Sequence, residues 1–342
     1  MRAFALTVPG MRPLLTEEAA ERAALSVTDG GNDGRADVAL LETEAADAPL
    51  ALRTAEDVFV EVGRTKRSSG DDPRWIARRI WRPERVQRAL AAVAGLRRPP
   101  PPAASFRVVT RLLQERAFLR TELRRQLVTT IRRAHPDWRV EDPAGMEVWV
   151  LEYRPGRIIA GLRVSGAAMR QHGGRAVQRA GALRPAVAAG MVRLARRTDH
   201  AETLLDPCCG SGTVLSEALH GCWSTVYGTD ISGSAVRTAK RNAARAQVRQ
   251  GDARQLDLPD GAVAAVVSNL PFGKQYKVRD SERWIADVLA EADRVTAPGG
   301  AVVVLVPAIP KQAIPRSLAL RRRVPLRLLG TKTTVWCFDR TG

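Results

Sequence analysis

At 342 residues, 45% of them hydrophobic, the chain can form two or three domains, each with its own core. Its 54 Lys and Arg against 36 Asp and Glu leave a formal charge of +18, which favours a polyanionic partner, although the excess of Arg and the abundant Ala also fit a GC-rich coding sequence. Four cysteines without Cys-x-x-Cys spacing and the scattered His135, His172, His200 and His220 argue against a disulfide framework or a zinc site, so no metal is expected. With no leader-like start and no apolar span of about 18 residues, the expectation is a cytoplasmic protein without a membrane partner.

Residues 1 to 64 alternate strand-like runs (Phe4 to Val8, Val38 to Thr43, Val58 to Val62) with a helix after Pro13, and Gly30 to Gly34 reads as a loop. Residues 65 to 165 start basic: Arg64, Lys66 and Arg67 precede Trp75, Arg78, Arg79, Trp81 and Arg82. A second basic run, Arg120 to Arg133, lies in a helix predicted over Arg116 to His135, with Leu119, Leu123, Leu127 and Ile131 on one stripe. Basic stretches interleaved with aromatics suit nucleic-acid backbone, and solvated helix faces are the plainer account of some of these arginines. Met146 to Tyr153 and Arg157 to Val164 flank Arg154-Pro-Gly156 as strand, turn and strand. Residues 166 to 185 form a linker in which Arg170, Arg175 and Arg179 can carry phosphates.

From residue 186 the pattern is that of a parallel α/β sheet. Thr203 to Leu205 is a short buried strand; Asp206-Pro-Cys-Cys-Gly-Ser-Gly-Thr213 breaks it, and Val214, Leu215, Ala218 and Leu219 resume at helical spacing. Gly210 and Gly212 let the backbone approach a ligand, with the helix start aimed at its polar groups. A second strand ends in Asp230, about 20 residues past the glycines, where an acid can accept from both ribose hydroxyls of a nucleoside cofactor. Asp252 follows a third strand and is placed to accept from an adenine amine. Cys208, Thr213, Ile231, Ala253 and Asn269 complete the expected cofactor lining. Gly-Ser-Gly-Thr fits a nicotinamide dinucleotide fingerprint poorly. A cytosine carbon-5 reaction through Cys208 is also disfavoured, since that residue lies in the cofactor turn.

The apolar run Ala262 to Ser268 delivers Asn269-Leu270-Pro271-Phe272 to the sheet's carboxyl edge. An amine on a base is a weak nucleophile because its lone pair is delocalised into the ring. Acceptors for both amine protons favour the tetrahedral nitrogen that attacks a sulfonium methyl. The Asn269 side-chain oxygen and a carbonyl of Leu270 or Pro271 can be those acceptors, and Phe272 offers a stacking face. Ser281 to Val295 then reads as a helix and Ala301 to Val306 as a fifth strand. Pro325 to Leu329 and Thr333 to Phe338 read as a closing antiparallel pair.

Asp-Pro-Cys-Cys-Gly-Ser-Gly-Thr with Asn-Leu-Pro-Phe-Gly-Lys274 resembles the THUMP-domain class I RNA methyltransferases that make 2-methylamino guanosine in transfer RNA. The resemblance implies a ferredoxin-like domain over 1–64, a THUMP RNA-binding domain over 65–165, a linker over 166–185 and a class I methyltransferase domain over 186–342 with a seven-stranded α/β sheet. It further implies S-adenosylmethionine as cofactor, held by Asp206, Gly210, Asp230 and Asp252, and a tRNA partner bound at its acceptor stem and 3′ end. Asn269 to Phe272 would hold the target base, and Arg64, Lys66, Arg67, Arg170, Arg175, Arg179 and Lys274 are candidate RNA contacts. Relatives with Asn-Pro-Pro-Tyr differ at the second and fourth positions, and the Leu variant points towards guanosine 6. The alternatives are an exocyclic amine of another nucleic acid, rRNA guanine or DNA adenine, and an RNA-binding protein with a relic cofactor fold.

Overall fold

A computed structural model of the chain describes residues 1–66, 72–96, 105–114, 118–172, 182–196, 203–221, 223–271, 281–328 and 330–342. It divides into two compact units, Met1–Arg170 and Gln171–Gly342. The N-terminal unit is built on an eight-stranded sheet of β1 (Arg2–Thr7), β2 (Leu25–Asn32), β3 (Asp37–Thr43), β4 (Asp57–Lys66), β5 (Ser105–Arg111), β6 (Arg139–Val140), β7 (Met146–Arg154) and β8 (Arg157–Arg163), in the order β2-β3-β1-β4-β8-β7-β5-β6. Strands from both of the expected segments, 1–64 and 65–165, therefore share one sheet, joined where β4 pairs antiparallel with β8.

Both sheet faces are covered, so the strands read as nearly continuous apolar runs rather than alternating ones. The helices of this unit are α1 (Arg12–Ala20), α2 (Pro73–Ile80), α3 (Pro83–Leu96), α4 (Arg120–Ala134) and α5 (Ala167–Gln171); Ala3 and Ala5 of β1 face one core with Ile76 and Ile80 of α2 and Leu123, Leu127 and Ile131 of α4. Phe4 and Leu6 face another, where Phe4 stacks on Phe59 at 4.6 Å. The predicted helix Arg116 to His135 starts later: Leu119 is its N-cap and 54% exposed, so the apolar stripe begins at Leu123. The expected loop at Gly30 to Gly34 is part strand, because β2 runs on through Gly30 and Gly31 to Asn32. The sheet curls there, and a Cβ on Gly31 would lie 1.9 Å from the Tyr153 carbonyl, an approach only glycine permits.

The C-terminal unit holds a seven-stranded sheet of β9 (Thr203–Asp206), β10 (Thr225–Asp230), β11 (Gln247–Gln250), β12 (Val263–Asn269), β13 (Thr296–Val306), β14 (Leu318–Leu328) and β15 (Thr331–Arg340). Their order is β11-β10-β9-β12-β13-β15-β14, with β9 to β13 parallel and β15 antiparallel to both neighbours. This is the expected class I methyltransferase sheet. The helices are α6 (Pro185–Ala195), α7 (Thr213–His220), α8 (Gly233–Asn242) and α9 (Ser281–Val295), the last with the bounds read from sequence. The strand order reverses between β9 and β12, the switch point outside whose carboxyl ends open α/β sheets bind ligands.

Candidate active site at the switch point

Four neighbouring strands deliver Asp206, Asp230, the Asp252 turn and Asn269 to one edge of this sheet. The turn after β9 is held from within. Asp206 is 2% exposed, and its Oδ1 accepts from the Cys208 amide at 3.1 Å and the Ser268 hydroxyl at 2.7 Å. The Cys209 amide donates to the Thr229 carbonyl, Gly212 to the Cys209 carbonyl, and Gly210 to Asp230 Oδ2 at 2.8 Å. These turn amides are spent on the protein, so any N–H groups offered to a ligand are those of the first turn of α7, which starts at Thr213. Gly210 (φ +53) has open space on its Cβ side, with no described atom nearer than 4.0 Å, as close approach to a ligand requires. Gly212 (φ +80) differs from its expected role: a Cβ there would meet Ala239 of α8 at 3.1 Å, so this glycine lets α7 and α8 pack.

Electrostatics follow from that burial. Desolvation pushes the Asp206 carboxyl up to about 7, against the pull of its Ser268 and Cys208 donors, with Asp230 adding to the rise. Burial and the charges of Asp206 and Asp230 also push both the Cys208 and Cys209 thiols up, so neither is a thiolate nucleophile near neutrality. Asp230 accepts from Gly210 and, through Oδ1, from the Ser232 amide at 2.9 Å; a carboxylate has about four acceptor positions, so hydroxyls can still be added. Ile231 beside it is 70% exposed, an apolar surface facing outwards next to an acid. Asp252 is held by Arg254, whose guanidinium reaches both oxygens at 2.6 to 3.2 Å and holds the carboxyl below its ordinary range. Ala253 and Thr213 are buried.

Asn269 ends β12, and its Oδ1 is buried with no partner among the described residues. Leaving such an acceptor unmatched costs about 1–3 kcal/mol, so the atom calls for a donor. Leu270 is fully buried in the core beneath it, and its amide donates to the Leu305 carbonyl at 3.2 Å. Its side chain is thus an anchor, about 1.5–3 kcal/mol of apolar burial fixing the loop behind Asn269. Pro271 is half-buried; Phe272 and Lys274 lie outside the described residues, as do Arg67, Arg175 and Arg179. In the N-terminal unit Arg64 is paired with Glu61 at 2.7 Å, Lys66 is exposed at the end of β4, and Arg170 Nε stands 3.9 Å from Asp57.

Sequence reading missed Ser268, Arg254 and a buried pair of His172 with Glu217, whose Nδ1 to Oε1 distance is 2.9 Å. His172, one of the four scattered histidines, is thus buried against a carboxylate. Ser268 leaves one signal, a polar residue closing an apolar strand; Arg254 leaves only its nearness to Asp252, and the His172 pair leaves none. Among the described residues no group of His, Cys, Asp and Glu could hold a metal ion, and no helix is long and apolar enough to cross a membrane.

Residues 172–321 match the UPF0020 family model, described as RMKL-like, methyltransferase domain. The chain is 36% identical over 140 residues to the bovine (Bos taurus) U6 snRNA (guanine-N(2))-methyltransferase THUMPD2, covering 38% of this chain and 27% of that protein. It is 30% identical over 192 residues to the ribosomal RNA large subunit methyltransferase K/L of Shewanella amazonensis, covering 42% and 26%. The chain thus spans about a quarter of the length of these curated relatives. The crystal structure of TrmN from Thermus thermophilus superposes with a TM-score of 0.80 at 25% identity, over 99% of both chains. By its sheet order and its edge of acids the C-terminal unit has the class I methyltransferase fold, and residues 172–321 within it are similar to the UPF0020 methyltransferase domain and to the K/L and THUMPD2 enzymes.

Proposed function

We propose that the chain methylates the exocyclic 2-amino group of a guanosine in RNA. The observation that carries this reading is the buried, unpartnered Oδ1 of Asn269 at the switch point, an acceptor waiting for an N–H donor. The residues present suit the cofactor. Asp230 would take ribose hydroxyls, Ile231 would lie against the adenine, and Asp252 would take its amine with Arg254 moved or shared. Gly210 would admit the methionine end. The cofactor supplies an electrophilic methyl; the protein supplies position. Asn269 Oδ1 accepts one amine proton, a backbone carbonyl of Leu270 or Pro271 accepts the other, and the nitrogen lone pair is freed for attack. This interaction strengthens as the nitrogen becomes tetrahedral, so it acts on turnover more than on binding. Both cysteine thiols stay protonated, which weighs against a covalent cytosine mechanism.

An RNA partner is supported by the +18 charge and by exposed arginines on two packed helices of the N-terminal unit, Arg74, Arg78 and Arg79 of α2 and Arg120, Arg124, Arg125, Arg132 and Arg133 of α4. Trp75 is 45% exposed there beneath Arg79. The names of the curated relatives, ribosomal RNA and U6 snRNA, support a structured RNA of that kind over the acceptor stem of transfer RNA. The ferredoxin-like and THUMP division at residue 64, and a cytoplasmic site of action, go with this proposal. The test incubates the full chain with labelled S-adenosylmethionine and, separately, unmodified ribosomal RNA, U6 snRNA and transfer RNA, followed by nucleoside analysis. Labelled 2-methylguanosine in either of the first two is expected. The same product in transfer RNA alone would restore the narrower reading, and label in adenine would overturn the guanine assignment.

A further inference from the structure

The methyl-transfer reading makes no use of the buried pair formed by His172 and Glu217. Their side chains are 5% and 2% exposed, and Nδ1 lies 2.9 Å from Oε1. A nitrogen and a carboxylate oxygen meet at that distance only with a proton between them, so Nδ1–H donates to Glu217 and the ring is fixed in one orientation. In the neutral ring Nε2 is then a bare acceptor. It is buried, and it has no partner among the described residues. A histidine held this firmly by one nitrogen, with the other dry and unmatched, has the form of a binding group whose ligand completes it.

Its place in the fold says which ligand. Glu217 stands one turn beyond Thr213 on α7, the helix that opens out of the Gly210 to Gly212 turn, and both residues lie on the buried side of that helix. Side chains on a helix lean towards its N-terminus, so Glu217 holds the His172 ring beside the first two turns of α7. The start of α7 is where the cofactor reading, on which this inference rests, puts the methionine moiety. The ammonium of that moiety needs an acceptor. Asp206, assigned to it from sequence, lies beneath the turn and spends Oδ1 on Cys208 and Ser268. The turn amides are donors and cannot serve. We propose that His172 Nε2 accepts a hydrogen bond from the ammonium of the cofactor's methionine moiety, with Glu217 as the positioning residue that holds the ring.

Titration calorimetry on the full chain tests this with three probes: S-adenosylhomocysteine, decarboxylated S-adenosylmethionine, which keeps the amine but not the carboxylate, and 5′-methylthioadenosine, which lacks both. His172→Ala is expected to weaken the first two by about tenfold or more and to leave the third within about twofold. Glu217→Ala should follow the same pattern more weakly, with Glu217→Gln restoring most of the affinity because its amide oxygen still accepts from Nδ1–H. If His172→Ala fails to fold, His172→Asn keeps a donor near the Nδ1 position, lacks Nε2, and should show the same selective loss. Equal weakening of all three probes would make the pair structural and overturn the inference, as would unchanged binding of all three. Loss for S-adenosylhomocysteine but not for the decarboxylated probe would move the contact to the carboxylate and overturn the ammonium assignment. Failure of the unaltered chain to bind any of the three would instead overturn the cofactor reading.

Discussion

The two units treat buried polar groups differently. In the N-terminal unit the buried carboxylates are spent on architecture: Glu18 accepts from the amides of Arg53 and Thr54 and the Thr54 hydroxyl, and Glu152 from the amides of Leu113 and Gly156. Arg163 is 6% exposed and tied to Asp57, Glu147 and Ser165. The buried side-chain nitrogens left unmatched there among the described residues are donors: Trp81 Nε1, and Nε of Arg22 and Arg107, while Arg22 Nη2 and Arg107 Nη1 and Nη2 are engaged. At the switch point of the C-terminal unit, Asp206 is spent in the same way, yet Asn269 Oδ1 is a buried acceptor left unmatched, and beside Glu217 of α7 so is His172 Nε2, with no partner for either among the described residues. A saturated network locks a shape; an unsaturated acceptor beside a cofactor turn stores an unmet demand that a ligand can fill.

Three substitutions sharpen or break that contrast. The largest effect is expected from Arg163→Ala, which strands Asp57 and Glu147 without their buried cation: a loss of about 3–5 kcal/mol in denaturant unfolding, with no selective effect on cofactor affinity in the fraction that folds. A loss under about 1 kcal/mol would show that this network is not the lock it is taken for. Next, Asn269→Ala should lower single-turnover methyl transfer by about 10²–10³-fold, with S-adenosylhomocysteine affinity within about twofold and stability unchanged or slightly raised, since an unmatched acceptor is removed. Cofactor binding lost in step with turnover would make Asn269 a cofactor residue instead.

The effect of Asp206 is the smallest per step of the variable changed, because it is spread over about three pH units. Its folded carboxyl titrates near 7, above its unfolded range, so the folded state holds the proton more tightly. That contribution is fully present below the unfolded value, near pH 4, and is lost as pH rises through about 7, on the order of 1 kcal/mol per pH unit. Unfolding measured across that window should show the unaltered chain losing stability with rising pH faster than Asp206→Asn. Parallel slopes would mean that Ser268 and Cys208 hold the carboxylate charged despite its burial.

Much of the site was legible because its residues sit at strand ends, and strand ends can be found from short apolar runs. Asp206, Asp230 and Asn269 end β9, β10 and β12, and Asp252 follows β11, as the pattern predicts. Legibility failed where a residue's role depends on what packs against it. Gly212 reads like a ligand-facing glycine and is a helix-packing one, because α8 arrives from a segment that the turn itself does not reveal. Leu270 reads as part of a binding motif and is a core anchor. Gly30 and Gly31 read as a loop and lie in a strand, where Gly31 is needed because the Tyr153 carbonyl of β7 comes against it.

The sequence by itself determined the order of elements, the parallel sheet with its closing antiparallel strands, and which residues reach its carboxyl edge. Local periodicity and turn chemistry act over a few residues and can be read there. Only the tertiary structure decided which polar atoms are already satisfied and which are not. Ser268 meets Asp206 across 62 positions and His172 meets Glu217 across 45, and whether an acceptor is matched depends on desolvation and hydrogen-bond geometry between segments that become neighbours only when the chain folds.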